Sequence, residues 1–289
     1  KGVEIISADS RQVYRGMDIG TGKVTKREQK LVRHWLLDVV SPTSQYSVAR
    51  FKREAQKVIR DIVQRGKVPI IVGGTGFYID ALLYDLQLPD VKPDMKLRAQ
   101  LRKLSTARLY ARLKKLDPAR AATIDRHNPV RLIRALEIVL TTGKPVPAIR
   151  RSSPYDMLYL GVSRPMSELK RRIEKRLDVR LRAGMVAEVR RLHANGVSWR
   201  RLENFGLEYR WAARYLQMNN EKLKAKNRNS GTFHLSLETL NYQQMRKHLL
   251  KDIIAYSKRQ LTWWRKNSDI RWVRNQNEAA GLVSEYLPK

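Results

Sequence analysis

Two short stretches of this chain end in residues that could do chemistry. The apolar run Val3 to Ala8 closes on Asp9-Ser10, and the run Val68 to Val72 closes on Gly73-Gly74-Thr75-Gly76. Both runs read as buried strands, and in open α/β sheets ligands bind beyond the carboxyl ends of the strands. A carboxylate at such an end can accept a proton from a substrate. Backbone amides bared by a glycine turn, together with the Thr75 hydroxyl, can contact a phosphate or a base edge. The plainer alternatives are a turn cap for Asp9 and tight chain reversal for the glycines. A third stretch, YRGMDIGTGKV, gathers glycines toward Gly22-Lys23 as a phosphate-cradling loop does. Its spacing fails: the first glycine of such a loop would fall on Met17, and Val24 has no hydroxyl to hold Mg²⁺.

Cations supply further candidates. Within ELKRRIEKRLDVRLRAGMVAEVRRL, Leu169, Ile173, Leu177, Leu181 and Met185 recur every fourth residue, while Arg172, Arg176 and Arg180 share that spacing on another face. Such a row is either the wet side of an amphipathic helix or a clamp for phosphate oxygens. Arg131 and Arg134 carry the same ambiguity. YSKRQLTWWRK (Tyr256 to Lys266) interleaves cations with two tryptophans, which suits phosphate contacts beside stacked bases. Trp263 and Trp264 diverge by about 100° on a helix, so the pair divides between core and contact. No His/Asp/Glu group has metal-ligand spacing, and no Ser-His-Asp pattern is present.

The elements that must position these residues read as α/β. VEIISA, HWLLDVV (His34 to Val40) and VPIIV are strand-like, as are LYLGV (Leu158 to Val162) and IRWV near the end. Ser47 caps a helix that stops at Gly66 and places Phe51, Ala55, Val58, Ile59, Ile62 and Val63 on one face. From about Asp94 to Pro147 the texture is helical only, with Asn128 as a cap, Pro129 at the first helical position and Gly143 as a stop. The expected architecture is a phosphate-loop-type parallel sheet flanked by helices, residues 1–93 and 148–289, with an all-helical insertion at 94–147. Glu221 to Ser236 reads as a polar excursion, and a long basic helix runs roughly from Thr239 to Lys266.

With 59 Lys and Arg against 27 Asp and Glu, the net charge is +32, which points to a polyanionic partner rather than a merely solvated surface. Hydrophobic residues make up 42%, enough for a substantial core in a chain of 289 residues. The absence of cysteine excludes disulfides, thiolate metal sites and cysteine nucleophiles. No apolar run is long enough for a membrane span, and a cytoplasmic monomer is the expected setting.

VEIISADSRQVYRGMDIGTGK, IIVGGTGFYIDALL, RHNPVRLIRALEIVLTTGK, RRIEKRLDVRLRAGMVAEVRRL and YSKRQLTWWRK, in this order, resemble the tRNA dimethylallyltransferases of bacterial type. The resemblance spans nearly the whole chain. It implies transfer of a dimethylallyl group from dimethylallyl diphosphate to N6 of the adenosine beside the anticodon of tRNA (position 37). It further implies Asp9 as general base, Thr75 facing the reacting centre, and Asp9, Ser10, Arg11 and Gln12 as the tRNA-contacting motif. Arg98, the segment Val130, Arg131, Leu132, Ile133 and Arg134, and Lys258, Arg259, Gln260, Trp263 and Arg265 would contact the anticodon stem-loop. Val130 departs from the commoner glutamine, and LENFGLEYRWAARYL matches a Gly-Tyr-Arg segment only loosely, which leaves Gly206 to Arg210 without assigned roles. Arg172 and Arg176 are the candidates for the diphosphate. The family carries its phosphate loop, with the lysine and the Mg²⁺-holding hydroxyl, upstream of the Asp-Ser strand. The expectation is therefore that residues 1–289 alone bind tRNA without transferring. A non-catalytic RNA-binding protein is the alternative, and a small-molecule kinase is a third reading that leaves the basic-aromatic helix unexplained.

Overall fold

The computed structural model describes residues 2–147, 152–227 and 240–287. The chain runs β1 (Val3–Ser7), α1 (Lys26–Leu31), β2 (His34–Trp35), α2 (Val48–Gln64), β3 (Val68–Val72) and α3 (Gly76–Leu83). Four helices follow, α4 (Met95–Leu101), α5 (Thr106–Leu116), α6 (Pro118–Thr123) and α7 (Pro129–Thr142). Then come β4 (Tyr159–Val162), α8 (Met166–Arg182), α9 (Met185–Ala194), α10 (Trp199–Phe205), α11 (Leu207–Asn227), α12 (Tyr242–Trp264), β5 (Ile270–Val273) and α13 (Gln276–Tyr286). The chain divides into two compact units, Lys1–Ile79 with Asp156–Lys289, and Asp80–Tyr155. The second unit contains the stretch 94–147 and extends beyond it on both sides.

All strand pairs are parallel, in two sheets ordered β2-β1-β3 and β4-β5. β1 is central and pairs with β3 from Val3↔Val68 to Ser7↔Val72, so the two strand ends carrying Asp9 and Thr75 lie side by side. β2 is much shorter than the expected His34 to Val40. Leu36 and Asp38 adopt left-handed backbone (φ 63° and 56°), which a strand cannot accommodate. Glu4 on β1 is buried, taking hydrogen bonds from Arg65 and Lys67 and from the Trp35 indole. Those bonds from Arg65 and Lys67 hold its carboxyl well below the usual range despite burial, tying β1 to its neighbours.

Ser47 caps α2 through the Arg50 amide, and the helix buries Phe51, Ala55, Ile59 and Ile62. Each such side chain contributes roughly 1.5–3 kcal/mol on full burial, alanine less. Val63 is 56% exposed, a correction to the expected stripe: it sits about 100° around from Ile62. Phe51 stacks on Tyr78 at 4.4 Å. The larger core of this unit gathers Val13, Met17, Leu177, Met185, Tyr209 and Leu249 among others. The long arginine-rich stretch is two helices rather than one, because Gly184 (φ +95°) ends α8 and leaves Met185 to open α9. In the second unit, Leu101, Leu109, Leu113, Leu132 and Leu136 form a separate core. The expected polar excursion begins as helix, since α11 continues to Asn227, and its remainder lies outside the described residues. Among the described residues no helix is long and apolar enough to cross a membrane.

Candidate active site

Beyond Ser7 the chain folds back on Asp9. Its Oδ1 accepts the backbone N–H of Arg11 at 2.7 Å and of Gln12 at 3.3 Å. The capping role is therefore real, but it occupies one oxygen; Oδ2 makes no hydrogen bond among the described residues. The Thr75 hydroxyl accepts the Ser10 N–H at 3.0 Å and donates to the Ser10 hydroxyl at 3.3 Å, stapling the ends of β1 and β3. Gly73 admits no side chain, since a Cβ would stand 2.3 Å from the Ala8 carbonyl oxygen.

The glycine turn is also a seat for α12. Gln260 Nε2 donates to the Gly74 carbonyl at 2.7 Å, and a Cβ at Gly76 would lie 2.6 Å from the Trp263 indole. Gln260 and Trp263, expected on the RNA, are thus half-buried parts of the site's wall. Trp264 sets its ring edge-on to Tyr159 at 5.9 Å, so both tryptophans are packed. Lys258, Arg259 and Arg265 remain exposed, with Arg259 over the Tyr256 ring at 5.8 Å. Burial first, then the Asp9 charge, pushes the Tyr256 phenol above its ordinary value.

Two further charged groups face the same region. Arg180 Nη1 donates to the Gly20 carbonyl at 3.3 Å and to Glu208 at 3.0 Å. Burial raises the Glu208 carboxyl, and the Asp9 charge adds to the rise against the pull of Arg180 and Arg176. Arg172 instead pairs with Glu168 at 2.7 Å on the exposed side of α8. Glu208 was not selected from sequence, and Arg180 only as one of the row Arg172, Arg176 and Arg180. Arg180 belonged to the visible four-residue row, but nothing in the row says which arginine turns inward.

The glycine-rich stretch 16–23 spends its backbone donors on protein. Buried Glu188 accepts the N–H groups of Asp18 at 2.9 Å, Ile19 at 2.7 Å and Gly20 at 3.1 Å, and the Tyr209 hydroxyl at 2.7 Å. Lys23 donates to the Tyr14 carbonyl, Asp18 and Asp38, and its side chain is 3% exposed. An anion-binding loop presents free amides and a free lysine; here a carboxylate already takes the amides. The loop serves the Asp9 turn, for Gln12 Nε2 reaches the Gly22 carbonyl at 3.4 Å while its Oε1 accepts from Ser7. Arg11 donates through Nε to the Phe205 carbonyl at 2.8 Å, tying the same turn to α10.

In the helical unit, buried Glu137 accepts both Nε and Nη2 of Arg98, at 2.8 and 2.7 Å, and Nη1 of Arg134 at 2.5 Å. Arg98 and Arg134, expected on RNA, are internal ion-pair partners. Leu132 and Ile133 are buried in the core, a packing position rather than a contact. Val130 and Arg131 are the exposed side chains of that segment. As for Mg²⁺, no three His, Asp or Glu side chains stand together among the described residues, so these residues alone do not compose a divalent-cation site.

Parallel strands with a carboxylate and a hydroxyl at adjoining ends, a helical insertion and a basic-aromatic helix over the glycine turn define an α/β protein whose candidate ligand site is the mouth of its central strand. The chain matches the IPP transferase family over residues 12–267 and belongs to that family. It is 36% identical over 285 residues to the tRNA dimethylallyltransferase of Pelotomaculum thermopropionicum, covering 96% of this chain and 84% of the relative. It is 39% identical to that of Thermomicrobium roseum over 277 residues, 94% of this chain and 78% of the relative. Among solved structures, the full-length tRNA isopentenylpyrophosphate transferase of Bacillus halodurans superposes with a TM-score of 0.65 at 32% identity, covering 98% of this chain and 89% of that one.

Proposed function

We propose that the protein transfers the dimethylallyl group of dimethylallyl diphosphate to N6 of the adenosine next to the anticodon of tRNA, position 37, with Asp9 as proton acceptor. The observation that carries this reading is the Asp9 carboxylate. One oxygen is fixed by two backbone amides, and the other is uncommitted beside the Ser10-Thr75 staple. The N6 nitrogen forms a bond to the allylic carbon as the C–O bond to diphosphate breaks, and the bonding pair leaves with the diphosphate. N6 then surrenders a proton to Asp9 Oδ2. The exocyclic amine is a weak nucleophile because its lone pair is delocalised into the purine, so timely proton removal is worth about 10²–10⁴-fold in rate. The departing anion calls for cations, which the arginines of α8 supply. The base must leave its stack to reach a strand mouth, and the exposed cations of α12 would hold the flanking RNA while it does.

The same reading has the protein acting as a monomer in the cytoplasm, and Mg²⁺, if bound, would neutralise charge on the departing diphosphate. The test is transfer of labelled dimethylallyl groups to an anticodon stem-loop by the protein. Asp9→Asn is expected to lose about 10²–10⁴-fold in turnover while keeping its affinity for the stem-loop. Turnover near wild type would sink the general-base role, and binding without transfer by the wild-type protein would favour a non-catalytic RNA-binding protein.

A further inference from the structure

Which way the acceptor adenine turns inside the site is a separate question that rests on the transferase reading. Helix α12 presents Tyr256, Gln260 and Trp263 at successive spacings of four and three, so the three side chains share one face. Two of them are fixed on the glycine turn. Trp263 packs against Gly76, where a Cβ would lie 2.6 Å from the indole, and Gln260 Nε2 donates to the Gly74 carbonyl at 2.7 Å. Passing along this face from Trp263 to Gln260 therefore moves from Gly76 back to Gly74. One more helical turn, about 5.4 Å, carries Tyr256 toward the Asp9 turn. The two turns form one surface: a Cβ at Gly73 would strike the Ala8 carbonyl oxygen, and the Thr75 N–H donates to that same oxygen at 3.3 Å.

Tyr256 is half-buried, and the Arg259 guanidinium lies over its ring at 5.8 Å. Its hydroxyl makes no hydrogen bond among the described residues, yet it is not sealed from solvent. A tyrosine held this way usually gives its hydroxyl a partner; no protein group on α12 or on the two turns takes this one. Burial and the Asp9 charge both keep the phenol protonated, so it stands as a donor.

Adenine carries the matching acceptor. Its N6 amine is flanked by two ring nitrogens, N1 and N7, each with an in-plane lone pair that the new bond to the allylic carbon does not use. With N6 turned to Asp9 Oδ2, one of these nitrogens falls toward the neighbouring donor. A hydrogen bond there fixes the rotation of the base in its own plane and points the amine proton at the carboxylate. We infer that Tyr256 orients the acceptor adenine, its hydroxyl donating to the ring nitrogen beside N6 while Asp9 faces the amine itself.

The experiment compares the wild-type protein with Tyr256→Phe, which removes only the hydroxyl. Three stem-loops carry adenosine, 1-deazaadenosine or 7-deazaadenosine at the acceptor position. The ratio of kcat/KM between the two proteins is read on each, so any change the missing nitrogen makes to amine nucleophilicity cancels. On adenosine the variant is expected to lose about three- to tenfold, the worth of one neutral hydrogen bond. On the stem-loop lacking the contacted nitrogen the ratio should fall to about one, and which stem-loop does so tells N1 from N7. KM for dimethylallyl diphosphate and the melting temperature should not change, because the hydroxyl holds no protein group. An equal loss on all three stem-loops, or no loss on adenosine, overturns the inference. A wild-type protein that transfers nothing even to adenosine would bring down the transferase reading, and this inference with it.

Discussion

Glu188 shows how one side chain decides what a loop is for. Three consecutive backbone N–H groups and a phenol converge on this carboxylate, itself 1% exposed. Each buried donor left without an acceptor costs about 1–3 kcal/mol, partly recovered by relaxation and water. Glu188→Ala is therefore expected to lower the unfolding free energy by about 3–5 kcal/mol, read by urea denaturation. Glu188→Gln, which retains one acceptor oxygen, should cost less. A loss below about 1 kcal/mol in the alanine variant would mean that the loop is held by something else. The sequence could show that Gly16 to Lys23 lacks phosphate-loop spacing. It could not show what the amides bond instead, because the acceptor comes from another helix far along the chain. The same limit hid the Arg180–Glu208 pair, whereas Asp9 and Thr75 were legible because strand ends are marked locally by an apolar run and a turn.

Helix α7 carries its own electrostatic dependence. Burial pushes Glu137 up, but the hydrogen bonds from Arg98 and Arg134 outweigh it, so its carboxyl lies below its ordinary value of 4.5. A carboxyl that titrates lower in the folded state stabilises fully above its unfolded value, and that contribution is lost as pH falls through the folded one. The melting temperature of the wild-type protein should thus fall on acidification below about pH 4.5, and Glu137→Gln should flatten this part of the profile. An unchanged acid slope in Glu137→Gln would show that other carboxylates set it. The ends of α7 were readable from residue types alone: Asn128 caps it, and Gly143 closes it at φ +65°. Its ion pairs were not, since a lone arginine on a basic chain looks the same whether it faces RNA or an internal carboxylate. The split of α8 from α9 at Gly184 was missed for a related reason: the apolar spacing continues across the break.

At the scale of the chain, +32 net charge is far beyond what solubility requires. Under the proposed function, phosphate contacts made by exposed cations such as Arg131, Lys258, Arg259 and Arg265 would release counterions from RNA. Stem-loop affinity should therefore fall steeply with salt, by about tenfold or more between 50 and 200 mM for even a few contacts. Lys258→Glu with Arg259→Glu should flatten a log–log plot of affinity against salt. A slope near zero for the wild-type protein would detach its charge from RNA binding. The class of fold was readable from the alternation of apolar strands and amphipathic helices, because that alternation is written within each segment. Which cations stay free had to wait for the structure, since that depends on carboxylates brought in by distant elements.

Gly22 leaves a mark of another kind. With its backbone left-handed and a guanidinium nitrogen within 1.8 Å of where a methyl would go, it cannot drift while Arg180 stays. The constraint is double: a shorter side chain in place of the arginine would open the space beside residue 22, yet the left-handed backbone would still favour glycine there.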